Sequence, residues 1–237
     1  LLKVYKRPSE VLRELVSNAI DASTKLEKLV RLGKADVELG DMTIEVKLDT
    51  AKKQIKVVDK GVGMTEEEVK KYINDIAFSG AEEFVKKYSG KDEAEVSGII
   101  GHFGLGFYSS FMVSKKVEID TLSFEKDAKP VKWSCDGSPE YSLTASKKKT
   151  RGTVITLHLD DDSLEFNEEQ RILGLLNKYC RFLPFPIRFG DQERSEPVEG
   201  KTDKDGNPEY KTIKEPRIIN NPEPAWKKAP ADLKDED

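Results

Sequence analysis

Hydrophobic and polar positions repeat with two different periods along this chain, and the period predicts where helices and strands lie. Apolar residues recur about every 3.6 positions between residues 8 and 33, which predicts an amphipathic helix. Residues 42–49 and 53–59 alternate with a period of two and predict a β-hairpin. A second helix is expected to begin at Thr65, because Thr65 and Glu68 have the spacing of a capping box.

The second half of the chain predicts mainly strands, with one helix among them. Runs bounded by turn residues place strands at about 116–124, 130–135, 140–144 and 152–159. A helix is expected over 168–183, and a short strand at 185–190. From Gly190 the composition becomes polar, with Pro and Gly, and predicts a loop or linker before a last strand at 210–219. Helices mixed with antiparallel strands, without strict βαβ alternation, indicate an α+β fold built as a two-layer sandwich.

Composition and charge narrow the range of functions. With 237 residues, 37% hydrophobic and 35% charged, the chain fits one large domain, or one domain with an extension. A net charge of -4 disfavours nucleic acid as the main partner. No apolar run approaches membrane-spanning length, and no signal peptide is recognised. Cys135 and Cys180 lack metal-ligand spacing. The sequence does not exclude a disulfide between them, but we expect two reduced thiols in the cytoplasm. The chain begins at Leu1 rather than Met, so we expect a piece of a longer protein.

The first candidate for chemistry is a polar stripe on the first predicted helix. Glu14, Asn18, Asp21 and Lys25 are spaced 4, 3 and 4 residues apart and therefore share one face. An ordinary solvated helix face has the same pattern, so the stripe alone does not indicate a site.

The second candidate is "VVDKGVGM", residues 57–64, in which Asp59 follows a predicted strand and precedes Gly61 and Gly63. An ionised carboxylate only accepts hydrogen bonds, so Asp59 suits an exocyclic amine such as that of adenine. The glycines would let the backbone pass close to a flat ligand. The same residues are also common in an ordinary turn after a strand.

The third candidate is "GIIGHFGLGFYSSF", residues 98–111, where four glycines precede an apolar stretch that is expected to open a helix. Free N–H groups at a helix start, together with the helix dipole, bind phosphate. The pattern is neither a Walker A loop nor the dinucleotide fingerprint, and taken alone it also fits a flexible hinge.

In this order the three segments resemble the GHKL (Bergerat) nucleotide-binding fold of type II topoisomerases, MutL proteins, histidine kinases and heat-shock protein 90 chaperones. The stretches "LRELVSNAIDA", "DKGVGMT", "IAFSGAEEF", "IGHFGLGFYSSFMV" and "RGTVITLHL" resemble the heat-shock protein 90 family, and the lack of a long charged linker resembles its bacterial branch. The resemblance covers nearly the whole chain. It implies a mostly antiparallel sheet covered by helices on one face, with a nucleotide-binding domain over 1–219 and a linker toward a middle domain over 220–237.

The resemblance also implies an activity: slow ATP hydrolysis by a chaperone domain that uses lid closure and dimerisation to act on client proteins. Glu14 matches the catalytic general base that activates the attacking water. Asn18 matches the residue that holds Mg²⁺ with the phosphates, and an amide oxygen suits this hard cation. Asp59 matches the carboxylate that binds the adenine amine, and residues 79–106 match a mobile lid. The implied residues of the ATP/ADP site are Asn18, Asp21, Lys25, Asp59, Gly61, Gly63, Met64, Ser79, Gly80, Gly101, His102, Phe103, Gly104, Leu105, Gly106, Phe107 and Thr153.

Some positions depart from the family pattern. Phe78 stands where many relatives have a phosphate-facing lysine, and Tyr72 stands where some have a ligand-facing asparagine. The implied partners are adenine nucleotide, client proteins, the chaperone's own middle domain and a second copy in a homodimer, without nucleic acid or membrane. Two alternatives stay open, namely another GHKL ATPase of the DNA-linked topoisomerase or MutL type, and a nucleotide-binding module that does not hydrolyse.

Overall fold

The computed structural model describes residues 8–74, 106–202 and 208–222, and within them the chain forms one eight-stranded sheet. The strands are β1 (Ile44–Asp49), β2 (Gln54–Val58), β3 (Ser114–Leu122), β4 (Val131–Cys135), β5 (Ser142–Ala145), β6 (Gly152–Leu159), β7 (Ile187–Thr202) and β8 (Pro208–Ile218). Their order across the sheet is β5-β4-β3-β6-β2-β1-β7-β8. Among the described strands, β1 and β7 pair in parallel and the other neighbours pair antiparallel. The α+β class and the mostly antiparallel sheet are therefore confirmed.

The helices begin where the sequence predicts. Helix α1 (Val11–Arg31) follows a 3₁₀ turn at Pro8–Glu10. Helix α2 (Glu66–Val69) has the expected capping box, in which the side chains of Thr65 and Glu68 each accept the other residue's backbone N–H. It continues as a π-helix at Lys70–Asn74.

Three further helical elements follow residues 75–105, which the structure does not describe, and one of them is a 3₁₀ helix at Asp161–Asn167. The apolar stretch that starts at Gly106 forms a 3₁₀ helix, Gly106–Met112, rather than a long α-helix. A helix of seven residues has a smaller dipole than a long α-helix, so it would attract a phosphate less strongly than the sequence suggested. Helix α3 (Glu169–Cys180) confirms the helix predicted over 168–183.

The core lies between the sheet and α1. Alternate residues of the central strands are fully buried in this core, for example Val117 and Ile119 on β3, whereas Glu118 between them lies on the charged face. On α1, Leu15 and Val16 have no exposed surface. Because α1 packs across β1, β2 and β6, the residues of its polar stripe are held at fixed positions relative to the sheet.

The loop or linker predicted from Gly190 is wrong. Strand β7 runs on to Thr202 and pairs with β8 in a long hairpin, with partners such as Gln192 opposite Glu215. Beyond Gly190 the hairpin extends past β1, so its residues 191–195 are exposed and show no hydrophobic alternation. Backbone pairing stabilises this ribbon, and such pairing has no composition signal of its own.

The remaining predictions concern the cysteines, the lid, the linker and membrane-spanning segments. Cys135 and Cys180 are free thiols, as expected. The lid predicted over 79–106 lies outside the described residues except for its last residue, and so does the linker beyond residue 222. Within the described part of the chain, no helix is long and apolar enough to cross a membrane.

Candidate functional site

Asp59 lies at the bottom of the candidate site, directly after β2. Its side chain is only 6% exposed, and its Oδ1 accepts the backbone N–H of Gly61 at 2.9 Å and that of Thr153 at 3.3 Å. Both of the hydrogen bonds recorded for this carboxylate among the described residues end on Oδ1, so Oδ2 keeps its capacity to accept a further donor. The backbone N–H of Asp59 donates to the carbonyl of Thr153 at 2.9 Å, which ties the end of β2 to the start of β6.

Burial sets the charge behaviour of this carboxyl. Desolvation raises the pKa of Asp59 from its ordinary 3.8 to about 7, against the opposing effects of the two N–H donors and of the charge on Lys148. A carboxyl poised near neutrality can still ionise when a ligand offers a donor. The site therefore holds an acceptor whose charge is costly until something binds it.

The two glycines after Asp59 are required by the protein itself. A Cβ on Gly61 would collide with the backbone of Ala22 on α1, and a Cβ on Gly63 would collide with the carbonyl oxygen of Leu122. Gly63 also has a φ of +63°, which disfavours any other residue. The glycines let the turn after β2 pack tightly against α1 and β3, and a role beside a ligand stays a prediction.

Two threonines connect this turn to the sheet. The hydroxyl of Thr121 on β3 accepts the backbone N–H of Met64 at 2.9 Å and lies 3.0 Å from the hydroxyl of Thr153. Both threonines are buried, so Met64 and Thr153 share one polar connection beside Asp59. Asp59, Gly61, Met64 and Thr153 are thus brought together, as the sequence predicted for one site.

The polar stripe of α1 leads from this turn to the start of the 3₁₀ helix. The carbonyl of Ala22, beside Asp21, accepts the backbone N–H of Val62 at 3.2 Å. Two turns earlier, a Cβ on Gly106 would lie 2.5 Å from the Oε2 of Glu14. Glu14 and Ala22 are eight residues apart, which is about 12 Å along a helix. The stripe is therefore a wall between the Asp59 turn and Gly106.

Glu14 is held by its neighbour. Its Oε1 accepts hydrogen bonds from the guanidinium of Arg13 at 2.7 and 3.3 Å, and this bond is the main reason that the pKa of Arg13 is raised. The Glu14 side chain is 22% exposed, so it is neither a solvated surface group nor a core residue. One carboxylate oxygen is engaged by Arg13 while the other faces Gly106.

Asp21 and Lys25 lie at the other end of the stripe. Asp21 is only 5% exposed. Burial lowers the pKa of the half-buried Lys25, while the charges of Asp21 and Glu68 act in the opposite direction. Glu68 in turn has a raised pKa, chiefly because of its own burial. These carboxyls make a local environment in which a buried ammonium is tolerated.

The side chain of Phe107 belongs to the core, which is compatible with the predicted backbone role of this residue. Its ring is buried in an aromatic cluster, 5.7 Å from the ring of Trp133 and 5.8 Å from that of Tyr108, measured between centroids. Any contact that Phe107 makes with a phosphate would come from its backbone. Among the predicted site residues, those that lie outside the described part of the chain are Ser79, Gly80, Gly101, His102, Phe103, Gly104 and Leu105.

Four residues of this region were missed by the sequence reasoning: Arg13, Glu68, Thr121 and Arg151. Glu68 was assigned only to a capping box, and Thr121 is one of many threonines in strands. Arg151 stands in the quoted stretch "RGTVITLHL", where only Thr153 was given a role. Arg13 binds its adjacent residue, Thr121 and Arg151 bind segments far away in sequence, and Glu68 acts on the distant Lys25, so periodicity could not identify these roles.

Comparisons with known proteins agree with this geometry. The family described as histidine kinase-, DNA gyrase B- and HSP90-like ATPases matches residues 5–171. The chaperone protein HtpG of Porphyromonas gingivalis is 53% identical over 99% of this chain, and that of Bacteroides fragilis is 52% identical over 99%. The HtpG of Idiomarina loihiensis is 38% identical over 99% of the chain. The chain spans about a third of the length of these relatives, namely 32%, 32% and 36%.

Proposed function

Because this chain belongs to the histidine kinase-, DNA gyrase B- and HSP90-like ATPases, and within them to the bacterial heat-shock protein 90 branch, we propose that it binds ATP and ADP through Asp59 and hydrolyses ATP slowly. The observation that carries the proposal is the buried Asp59 carboxyl, whose Oδ1 is satisfied by two backbone N–H groups. A carboxylate in this state recognises a base that presents an amine, and adenine does so.

The α1 stripe supports one orientation for the nucleotide. Adenine would lie at the Asp59 turn, near Ala22, and the phosphates would extend along the stripe toward Gly106. Asn18 lies between these ends, half-buried, and its amide oxygen suits Mg²⁺, which takes oxygen ligands and keeps several waters. A bound Mg²⁺ would supply charge neutralisation for the phosphates. The phosphate contacts of Gly101 to Phe107 rest on the family resemblance alone.

Glu14 is the proposed general base. Its position beside Gly106 would bring its free oxygen to the phosphate end, where it would orient and deprotonate the attacking water. Arg13 engages the other oxygen and so fixes the carboxylate in direction. Slow turnover is expected because phosphoryl transfer also requires charge stabilisation that this set of residues supplies only in part.

We further propose roles for the whole protein of which this chain covers one part. It would act as a cytoplasmic molecular chaperone that couples nucleotide binding to dimerisation, to contacts with its own middle domain and to action on client proteins. Similarity to HtpG chaperones over 99% of the chain supports the chaperone role, and two free thiols support a reducing compartment. Residues 220–237 would form the linker toward the middle domain.

The test is calorimetric titration at pH 8 with ADP and with inosine diphosphate (IDP), with and without Mg²⁺. IDP carries a carbonyl oxygen where adenine carries the amine, so an ionised Asp59 gives it no hydrogen bond. We expect ADP to bind at least about tenfold more tightly, the scale of one hydrogen bond to a charged group. Equal affinities would refute recognition of adenine by Asp59, and no binding at all would refute the proposed function.

Turnover separates an ATPase from a nucleotide-binding module that does not hydrolyse. We expect slow release of phosphate from ATP that depends on Glu14. Phosphate release at the same rate from the Glu14→Ala variant would refute the assignment of the general base. The DNA-linked alternative is not favoured, because the net charge is -4 and the HtpG relatives match nearly the whole chain.

A further inference from the structure

We propose that Arg151 is a positioning residue for base recognition, because its guanidinium fixes the turn that carries Asp59 against the strand end that carries Thr153. The inference rests on the proposed function, since it concerns how the adenine-binding carboxyl is held. Arg151 itself would touch no part of the nucleotide.

The guanidinium of Arg151 bridges two chain segments. Its Nε donates to the carbonyl of Lys60 at 3.0 Å, and its Nη2 donates to the carbonyl of Leu39 at 2.6 Å and lies 3.8 Å from the sulfur of Met42. A planar fork with several donors is well suited to hold two carbonyls in one geometry, which a lysine ammonium does less well. The lysine side chain on the same turn adds a second tie, since Lys60 Nζ lies 2.9 Å from the carboxylate of Asp41.

The bridge lies next to the groups that define the carboxyl. Arg151 precedes Gly152, where φ is +97° and a Cβ would collide with the carbonyl oxygen of Asp59. The next residue, Thr153, gives its N–H to Asp59 Oδ1 at 3.3 Å, the longer of the two bonds on that oxygen. Lys60 directly follows Asp59. The guanidinium therefore joins Lys60, the residue after Asp59, to the start of β6, where Thr153 donates its N–H to the Asp59 carboxylate.

Loss of this bridge should lower the affinity for ADP more than the affinity for IDP. If the turn and the start of β6 separate by a few tenths of an ångström, the bond from Thr153 to Asp59 is the first to weaken. The direction of Oδ2, which would accept the adenine amine, then becomes less well defined. A nucleotide that does not use this oxygen should lose little affinity, so base selectivity reports positioning whereas a general loss of structure lowers both affinities alike.

The experiment titrates wild-type protein and the Arg151→Ala and Arg151→Lys variants with ADP and IDP at pH 8, below each variant's unfolding temperature. We expect Arg151→Ala to lower ADP affinity about tenfold, the worth of one hydrogen bond to a charged group, with IDP affinity within about twofold of wild type. Arg151→Lys keeps the positive charge but has a single donor nitrogen in place of the planar fork, so it should recover only part of the selectivity. If Arg151→Ala does not fold, the Lys variant still decides, because reduced ADP selectivity supports the inference and wild-type selectivity refutes it.

Arg217 provides a control. Like Arg151 it joins two chain segments, since it donates to the carboxylate of Glu169 at 3.0 Å and to the backbone carbonyl of Asp191 at 2.9 Å, but it lies at the base of the β7–β8 hairpin. Arg217→Ala should lower stability and leave the ratio of ADP to IDP affinity unchanged. Equal changes of this ratio in Arg151→Ala and Arg217→Ala would overturn the inference. Absence of selectivity in the wild type would instead refute the proposed function.

Discussion

Replacing Asp59 by Asn should stabilise the nucleotide-free protein, and increasingly so as the pH rises. The amide keeps the shape of the side chain and an oxygen that can accept the N–H groups of Gly61 and Thr153, but it carries no charge to desolvate. Burial raises the pKa of Asp59 to about 7, so the folded state binds this proton more tightly than the unfolded state does. The stability that protonated Asp59 contributes is fully present below the unfolded pKa of 3.8 and is lost as the pH rises through about 7.

The magnitude follows from the size of the pKa shift. Each pKa unit is worth about 1.4 kcal/mol. A shift of about 3 units therefore makes the free energy of unfolding of the variant larger than that of the wild type by about 4 kcal/mol at pH 8 and by about 1.5 kcal/mol at pH 5. Any constant difference caused by the amide's own hydrogen bonds cancels between the two pH values. The quantity to test is therefore the increase of about 2.5 kcal/mol in the stability gap between pH 5 and pH 8.

Urea denaturation of wild type and variant at both pH values, without nucleotide, measures this gap. Asp41 gives a control, since hydrogen bonds from Thr43 and then Lys60 lower the pKa of this carboxyl to about 2. The stability it contributes is present above its unfolded pKa of 3.8 and is lost only as the pH falls through about 2, so Asp41→Asn should destabilise by about the same amount at pH 5 and pH 8. The same Asp59 variant should lose ADP affinity by about tenfold to a hundredfold, because the charge-assisted bond to the amine is lost. A stability gap that does not change with pH would refute the account of Asp59 as a buried carboxyl destabilised by its charge.

Three further substitutions test other parts of the site and fold. Glu14→Ala should leave ATP affinity within a few-fold but lower turnover about a hundredfold, measured by phosphate release in a chain extended to the full length of the relatives. Gly63→Ala should cost at least about 3 kcal/mol in urea denaturation because its Cβ meets the carbonyl of Leu122, whereas Gly33→Ala, with a similar φ of +65° and open space, should cost only about 1 kcal/mol. Asn220→Ala removes hydrogen bonds to three backbone groups and should cost about 3 kcal/mol in urea denaturation without changing ADP affinity.

Local patterns in the sequence predicted the elements whose stability depends on a buried face. Helix α1, the β1–β2 hairpin and the strands of the central sheet all bury one side, so the period of their apolar residues is visible. The distal part of the β7–β8 hairpin buries neither side and was therefore read as a loop. It is held by pairing between β7 and β8, and this pairing leaves no apolar period in the sequence.

The residues of the candidate site also fall into a group that local sequence patterns identified and a group that they did not. Asp59 and the glycines after it were found because a carboxylate and two glycines make a recognisable local pattern. Arg151 was not, because its two carbonyl partners are 91 and 112 residues away in sequence. A bond to a backbone carbonyl imposes no residue type on the partner, so the sequence around Leu39 and Lys60 carries no sign of it.

The burial of the α1 stripe favours its interpretation as the wall of a site over that of an ordinary solvated helix face. A solvated helix face would expose its charged residues, since burial of an unpaired charge is costly. Asp21 is instead 5% exposed and Glu14 is 22% exposed, and the same helix also buries Ser17, Ser23 and Thr24. The helix therefore covers polar side chains on one face while it packs Leu15 and Val16 into the core on another. Burial of carboxyls generally costs stability, and such a cost is the pattern expected where a site is maintained.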